Sequence, residues 1–296
     1  MNKEEIQYTE DNKPITLIPR GGIARRLRTI ASMIHLAKTF ERPLEILWLT
    51  EDSMPVSPDR LFTLVPSLRS LGIHMVQGTW LDRLCSTPPS PSNLFLTFPF
   101  TSIRYDRVLS VKHVEQLLES KRRHIETLME QKDKSLLLAT EESLGNYPNM
   151  YDAIEPTVEV NNVLLSSMAS WSGRVIGVHL NRRINPQSTY RECPIELFIK
   201  RMQEMVEADP ELHFFIATTS KDERERLATI FHDRVYVPNR VPTTHTLKGV
   251  IQSMGELLAL SHTDEILTTP GSNYARVAAE IGHVPLETLS IYTTNN

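Results

Sequence analysis

The sequence contains few cysteines and no long apolar run. Cys85 and Cys193 are its two cysteines, and they lie far apart without Cys-x-x-Cys spacing. This pattern argues against a disulfide framework and a zinc site, so we expect a protein of a reducing compartment, in the cytoplasm. No stretch of about 18 consecutive apolar residues occurs, so no transmembrane helix is predicted. Residues 1–14 are polar and acidic, and we expect no signal peptide there.

Excess positive charge is also missing. The 32 Lys and Arg residues are outnumbered by 36 Asp and Glu residues, which gives a net charge of −4. Non-specific nucleic-acid binding depends on excess positive charge, so we exclude nucleic acid as a partner. A hydrophobic content of 40% is ordinary for a globular protein, and 296 residues suit one large domain or two smaller ones.

Several motifs of catalysis are absent as well. The sequence contains no G-x-S-x-G elbow, so a hydrolase triad has no support. It contains no Asp-x-Asp triplet and no His-x-x-x-His pair, and we therefore expect no metal site. The glycine-rich turn described below lacks both the G-x-G-x-x-G spacing and a following G-K-[ST], which argues against a dinucleotide or ATP loop.

The sequence does contain short apolar runs that alternate with helical patterns. A parallel sheet covered by helices is the usual result of such alternation. We predict an α/β fold of two Rossmann-like halves facing a cleft, with domains at 1–160 and 161–296, parted by a loop near 145–160. The predicted strands are 15–19, 44–49, 73–76, 94–96, 136–139, 175–180, 213–219, 235–237 and 265–269. The predicted helices are 27–40, 122–134, 193–208, 220–231, 248–261 and 273–282.

The turn after the first predicted strand is one candidate anion site. Gly21 and Gly22 allow a sharp turn, and the helix that follows presents free N–H groups. Arg20, Arg25, Arg26 and Arg28 add positive charge. The alternative is a plain glycine turn with arginines lying along a helix surface.

The end of strand 175–180 is a second candidate, because ligands of open α/β sheets bind beyond the carboxyl ends of strands. His179, Arg182 and Arg183 fall there, and a guanidinium can grip two phosphate oxygens at once. In the alternative interpretation His179 is a hydrogen-bonded core residue and the arginines pair with surface carboxylates.

A third candidate is the turn at Gly271 and Ser272, between a strand and a helix, where N–H groups and a hydroxyl can bind an anion. A simple helix N-cap explains Ser272 equally well. The charged run KDERER at 221–226 is predicted to be a solvated helix face.

Taken in order, these segments resemble one family of enzymes. GGIARRLR (21–28), GVHLNRR (177–183), FFIATTSKDERERLATIF (214–231) and GELLALSHTDEILTTPGSNYARVAAEIGHVP (255–285) are similar to the motifs of GDP-fucose-dependent fucosyltransferases. That family includes the nodulation and α-1,6-fucosyltransferases and the protein O-fucosyltransferases.

The resemblance implies a GT-B-like fold and metal-independent transfer with inversion at the fucose anomeric carbon. It implies a C-terminal half that binds the donor and an N-terminal half on the acceptor side. By position, His179 and Glu256 would contact guanine, while Arg182 and Ser272 would hold the β-phosphate. Arg182 is the predicted catalytic residue, and we expect Arg182→Ala to abolish turnover while preserving folding. The predicted donor-binding set is His179, Asn181, Arg182, Arg183, Glu256, Gly271, Ser272, Asn273, Gly21, Gly22 and Arg25.

Two registers are open at the arginine motif. Without a gap, Asn181 stands in place of the family's first arginine; with Asn181 as an insertion, Arg182 and Arg183 supply the pair. The sequence therefore predicts a transferase that moves fucose or a related sugar from GDP-fucose to a glycan acceptor, in assembly of a bacterial-type surface glycan. The alternatives are an inactive nucleotide- or glycan-binding protein and a transferase for another nucleotide sugar. We expect no cofactor, and the sequence makes no prediction of acceptor or oligomeric state.

Overall fold

The computed structural model describes residues 12–52, 54–86, 103–120, 123–182, 191–238 and 245–292. The chain divides into two compact units, Met1–Thr157 and Val158–Asn296. Each unit contains a five-stranded parallel sheet accompanied by helices. Among the described residues, no helix is both long enough and apolar enough to cross a membrane.

The first unit contains the following elements in chain order: β1 Ile15–Pro19, α1 Ile23–Thr39, β2 Leu44–Trp48, β3 Phe62–Leu64, β4 Ile73–Gln77, α2 Trp80–Ser86, β5 Arg107–Leu109, α3 Val111–Ser120, α4 Arg123–Glu130, β6 Leu136–Thr140 and β7 Ile154–Pro156. The sheet order is β4-β2-β1-β6-β5, and β3 pairs with β7 separately and antiparallel. The central strand β1 is buried along its whole length because it is apolar on both faces and has a strand on either side.

The second unit contains α5 Val158–Met168, β8 Val175–Leu180, α6 Ile195–Ala208, β9 His213–Thr218, α7 Lys221–Phe231, β10 Val235–Tyr236, α8 Leu247–Leu260, β11 Glu265–Thr268, α9 Asn273–Gly282 and β12 Leu286–Thr288. Its sheet order is β10-β9-β8-β11-β12, with every pair parallel. The chain winds outward from β8 in one direction and resumes on its other side at β11. Such a switch point is where open α/β sheets bind ligands.

Several predicted boundaries differ from the structure. Helix α5 begins at Val158, inside the segment predicted to be a loop. It packs on α8 so closely that a Cβ added to Gly255 would lie 2.4 Å from a methyl carbon of Val163. The 122–134 helix ends at Glu130. The Pro- and Ser-rich segment CSTPPSPSN (85–93) is predicted from sequence to be a loop, but its first two residues belong to α2 and the remainder lies outside the described residues. The predicted strand 94–96 lies outside the described residues.

Candidate functional site

The carboxyl edge of the second sheet, at its switch point, brings two of the three predicted anion sites together. Strands β8 and β11 are neighbours, with Thr268 opposite His179. The connections that follow these two strands therefore begin side by side. Both connections lie at the carboxyl ends of parallel strands, where open α/β sheets bind ligands.

Hydrogen bonds join the two connections directly. The Asn181 N–H donates to Oγ1 of Thr269 at 3.1 Å. The Thr268 hydroxyl donates to the carbonyl of His179 at 3.2 Å. The backbone at the end of β8 is thus fixed against the turn that leads to Ser272.

Ser272 is the N-cap of α9. Its buried hydroxyl oxygen accepts the N–H of Ala275 at 3.2 Å, so the N-cap interpretation of this serine is correct. Accepting that bond leaves the hydroxyl proton for donation. Gly271 adopts a φ of +72°, and a Cβ there would meet no atom within 4 Å. The first N–H groups of α9 and the positive end of its dipole suit an anion.

His179 is buried and oriented by two contacts. Its Nδ1 lies 2.8 Å from the carbonyl oxygen of Ala217, and a carbonyl can only accept, so Nδ1 carries the proton. Its ring stacks on that of Tyr274, with 4.6 Å between centroids and 23° between planes. The Tyr274 hydroxyl in turn donates to the carbonyl of Ser253 in α8. The histidine is therefore tied to both β9 and α9.

Glu256 is a buried carboxylate on α8, the helix that also carries Ser253. It follows Ser253 by three positions, so the two residues share a helix face. Its Oε1 accepts from Nε2 of Gln252 at 2.8 Å. Burial raises the pKa of Glu256 to about 7, although the Gln252 bond and the charge of Arg224 act in the opposite direction. A neighbouring ligand that donates N–H bonds would favour its ionised form.

Arg182 forms a buried ion pair with Glu223. Its Nε lies 2.9 Å and 3.1 Å from the two carboxylate oxygens, and its Nη2 lies 2.6 Å from Oε1. Its Nη1 donates to the carbonyl of Cys193 at 2.7 Å. The prediction that the KDERER run is a solvated face is wrong at Glu223, which is 8% exposed because its carboxylate turns inward to this arginine.

This pair changes the expected behaviour of Arg182→Ala. Removing one partner of a buried pair leaves the other charge uncompensated, at a cost on the order of 3–5 kcal/mol. We therefore expect the variant to lose stability, contrary to the expectation from sequence that folding is preserved. Arg183, the other arginine of the motif, lies outside the described residues.

The first predicted anion site lies at the carboxyl edge of the other sheet, in the first unit. Gly21 has a φ of +81° and Gly22 is the N-cap of α1, as a tight glycine turn requires. Arg25 forms an ion pair with Glu141, which follows β6. Arg20 pairs with Glu51 at 2.7 Å. Carboxylates of the same unit therefore already meet these arginine charges, and a donor-binding role for Gly21, Gly22 and Arg25 stays a prediction.

Arg26 is a structural residue of that turn. It is fully buried, its Nε donates to the carbonyl of Gly21 at 2.8 Å, and its Nη1 donates to the carbonyl of Leu49 at 2.7 Å. Its guanidinium lies 4.5 Å from the centre of the Trp48 ring. Burial lowers its pKa to about 10, so it remains charged at neutral pH. The contacts of Arg26 therefore stabilise the glycine turn.

Sequence reasoning missed Glu223 and Tyr274. The spacing of Ser220 and Glu223 is that of a capping box, and Ser220 does accept the Glu223 N–H. This spacing indicates that Glu223 lies in the first helical turn, but it does not indicate that the Glu223 side chain faces Arg182. Tyr274 lies in the segment 255–285, but no pattern in the sequence singles it out as a site residue. Among the described residues, no group of three or more His, Cys, Asp or Glu side chains could hold a metal ion.

Comparison with known proteins gives structural neighbours but no sequence relatives. No family model matches the chain, and no curated protein matches it. NodZ α-1,6-fucosyltransferase, co-crystallised with GDP, superposes with a TM-score of 0.59 at 15% identity, covering 90% of this chain and 92% of its own. The chain has the fold of a fucosyltransferase.

Two further neighbours agree. A mutant of FUT1 from Arabidopsis thaliana in complex with GDP gives a TM-score of 0.57 at 13% identity, covering 97% of this chain and 72% of its own. POFUT1 in complex with GDP-fucose gives 0.55 at 10% identity, covering 95% and 99%. The predicted α/β class and the resemblance to GDP-fucose-dependent fucosyltransferases are therefore confirmed at the level of the fold. At these identities the likeness establishes the fold alone.

Proposed function

We propose that the chain is a glycosyltransferase that moves fucose, or a closely related sugar, from a GDP-linked donor to a glycan acceptor. The observation that supports it most is the junction of the β8 and β11 connections. His179 and Asn181 at the end of β8 are bonded to Thr268 and Thr269, which lead into the turn at Gly271 and Ser272. NodZ and POFUT1 share this fold and were solved with GDP or GDP-fucose.

The donor is proposed to bind at this edge of the second sheet. Glu256 and His179 supply an acceptor-rich pair for the N–H edge of guanine. The proposed diphosphate contacts are Ser272, the N–H groups of Asn273 and Tyr274, and Asn181. Such fixed donors stabilise negative charge that develops on a leaving group, and they require no metal.

The proposed reaction is a single displacement with inversion. An acceptor hydroxyl attacks the anomeric carbon of the sugar, the bond from that carbon to the β-phosphate oxygen breaks, and GDP leaves with the electron pair. The hydroxyl proton passes to a general base, for which a carboxylate is the expected group. The C-terminal unit is assigned to the donor and the N-terminal unit to the acceptor, and both assignments are part of the proposal.

A donor screen tests the transfer. The full chain is incubated with GDP-fucose, GDP-mannose and UDP-sugars, each with a panel of glycan acceptors, in the presence and absence of EDTA. We expect acceptor-dependent GDP release from a GDP-sugar that EDTA does not reduce. Release of UDP from UDP-sugars, without release of GDP from any GDP-sugar, would contradict the donor assignment. Loss of GDP release in the presence of EDTA would contradict metal independence.

The Arg182–Glu223 pair favours a second candidate, a non-catalytic nucleotide- or glycan-binding protein. The carboxylate neutralises a guanidinium that was predicted to stabilise the departing diphosphate. On this alternative, GDP binds but no acceptor in the panel releases it from GDP-fucose. Acceptor-dependent release would exclude the alternative.

A further inference from the structure

Glu223 occupies an unusual position for a residue of a charged surface run. Its neighbours Lys221, Asp222, Glu225 and Arg226 are exposed, whereas Glu223 points into the unit. Its place is set by the start of α7, where Ser220 accepts the Glu223 N–H at 3.4 Å. The Ser220 N–H donates to the hydroxyl of Thr218 at 3.1 Å, and that hydroxyl donates to the carbonyl of Leu180 at 3.1 Å. The start of α7 is thus fixed against the end of β8.

The arginine that Glu223 holds connects both ends of one chain segment. Arg182 comes two residues after β8, and its Nη1 donates to the carbonyl of Cys193, two residues before α6 begins. Glu223 holds the same guanidinium through both carboxylate oxygens. A bidentate carboxylate fixes both the plane and the direction of a guanidinium. The pair therefore closes the base of the β8–α6 connection.

The start of the β8–α6 connection, at Asn181, is bonded to the segment that leads into the turn proposed to bind the diphosphate. Asn181 precedes Arg182, and its N–H donates to Thr269, three residues before Ser272. We propose that Glu223 is a positioning residue of the donor site: by holding Arg182, it fixes the backbone at Asn181 against the turn that carries Ser272. This inference rests on the proposed function, since it assumes that the turn faces a diphosphate.

The contacts that hold the proposed diphosphate site differ from those that hold the residues assigned to guanine. The groups assigned to guanine are held by other contacts, namely His179 by Ala217 and Tyr274, and Glu256 by Gln252. Weakening the Glu223–Arg182 pair should therefore reduce the affinity for GDP much more than the affinity for guanosine. A change that merely loosened the unit would reduce both.

The experiment compares Glu223→Gln with Glu225→Gln. The control residue lies on the same helix but is exposed, and pairs with Lys221 at 3.5 Å. Titration calorimetry measures the Kd of GDP and of guanosine for the wild type and both variants, after circular dichroism has shown that each is folded. We expect Glu223→Gln to weaken GDP binding about tenfold or more and guanosine binding by less than about twofold. Glu225→Gln should bind both ligands as the wild type does.

Three results would overturn the inference. Unchanged GDP affinity in folded Glu223→Gln, with the wild type binding GDP, removes the positioning role and leaves the proposed function standing. Equal loss for GDP and guanosine shows a purely structural role. A wild type that binds neither ligand removes the proposed function itself. If Glu223→Gln does not fold, Glu223→Asp takes its place, because aspartate keeps the negative charge on a side chain one methylene shorter. We expect the same selective loss of GDP affinity. An unchanged ratio of the GDP and guanosine affinities would contradict the inference.

Discussion

The imidazole of His179 stacks on the phenol ring of Tyr274, with 4.6 Å between ring centroids. The two residues come from β8 and from the first turn of α9, on either side of the sheet's switch point. The contact joins the group assigned to the guanine base with the helix assigned to the phosphates. A donor that binds here meets both elements in one fixed arrangement.

Tyr274 should therefore matter through its ring more than through its hydroxyl. Tyr274→Phe keeps the stack and loses the bond to the Ser253 carbonyl. We expect it to bind GDP within about fivefold of the wild type, because a neutral hydrogen bond contributes only about 1 kcal/mol net. Tyr274→Ala removes the stack and should weaken binding about tenfold or more. Equal affinities for the two variants would contradict a role for the ring.

Ser272 allows the N-cap to be separated from the ligand site. Ser272→Asp retains a good N-cap residue, so α9 should still form, but a carboxylate at this buried position should lower the free energy of unfolding by about 1–3 kcal/mol. The added negative charge should nevertheless abolish GDP binding, because it faces the proposed diphosphate. Thr246→Asp is the control for the N-cap role, since Thr246 is the exposed N-cap of α8 and accepts the Gly249 N–H. The control should bind GDP normally; GDP binding by Ser272→Asp would exclude phosphate contact at this turn.

Glu256 should make the stability of the protein depend on pH. Its pKa is about 7 in the folded state against 4.5 for an ordinary glutamate, because burial disfavours the charged form. The unfolded chain releases this proton first, so the free energy of unfolding falls as the pH rises from about 4.5 to about 7. The full difference is about 3 kcal/mol. Below about pH 4.5 this contribution of Glu256 to the free energy of unfolding is fully present, and above about pH 7 it is lost.

Glu256→Gln provides the measurement. Urea unfolding of the wild type and the variant at about pH 5 and about pH 8 gives the difference between their free energies of unfolding at each pH. The variant cannot ionise, so it should gain stability relative to the wild type at the higher pH. A difference that does not change with pH would show that Glu256 ionises at its ordinary pKa. The same variant should bind GDP more weakly, because an amide presents only one acceptor oxygen to the base.

Gly21 and Gly22 should tolerate substitution differently. Gly21 has a positive φ, and a Cβ there would lie 3.1 Å from Cδ of Arg25 and 3.2 Å from Oε2 of Glu141. Gly21→Ala should reduce the free energy of unfolding by about 1–2 kcal/mol. Gly22 has a negative φ and open space, so Gly22→Ser should be neutral or stabilising as a better N-cap. Equal effects in urea unfolding would contradict the geometry of this turn.

The alternating pattern of apolar runs and helices predicted the α/β class because buried parallel strands are short and apolar throughout. Strand β8 and helix α9 were predicted at the bounds that the structure gives. Helix α5 was missed because it shows little contrast between its faces; Val158 and Leu165 remain exposed. The short strands β3 and β7 have three residues each, too few to show a period.

The candidate site was predicted less completely, for a physical reason. The strand-end rule places His179, Asn181 and Ser272 at one edge from their positions in the sequence alone. No pattern in the sequence indicates which carboxylate a given arginine meets. Arg182 and Glu223 are 41 positions apart, and Arg25 and Glu141 are 116 apart, so only the folded chain reveals that these charges are paired.

The central claim is that this chain binds a guanine nucleotide diphosphate at the carboxyl edge of its second sheet. Calorimetric titration of the wild type with GDP, and with UDP as the matched nucleotide, tests it most directly. The account predicts GDP binding in the micromolar range and UDP binding at least about tenfold weaker. No heat of binding with GDP, or equal affinity for UDP, would contradict it.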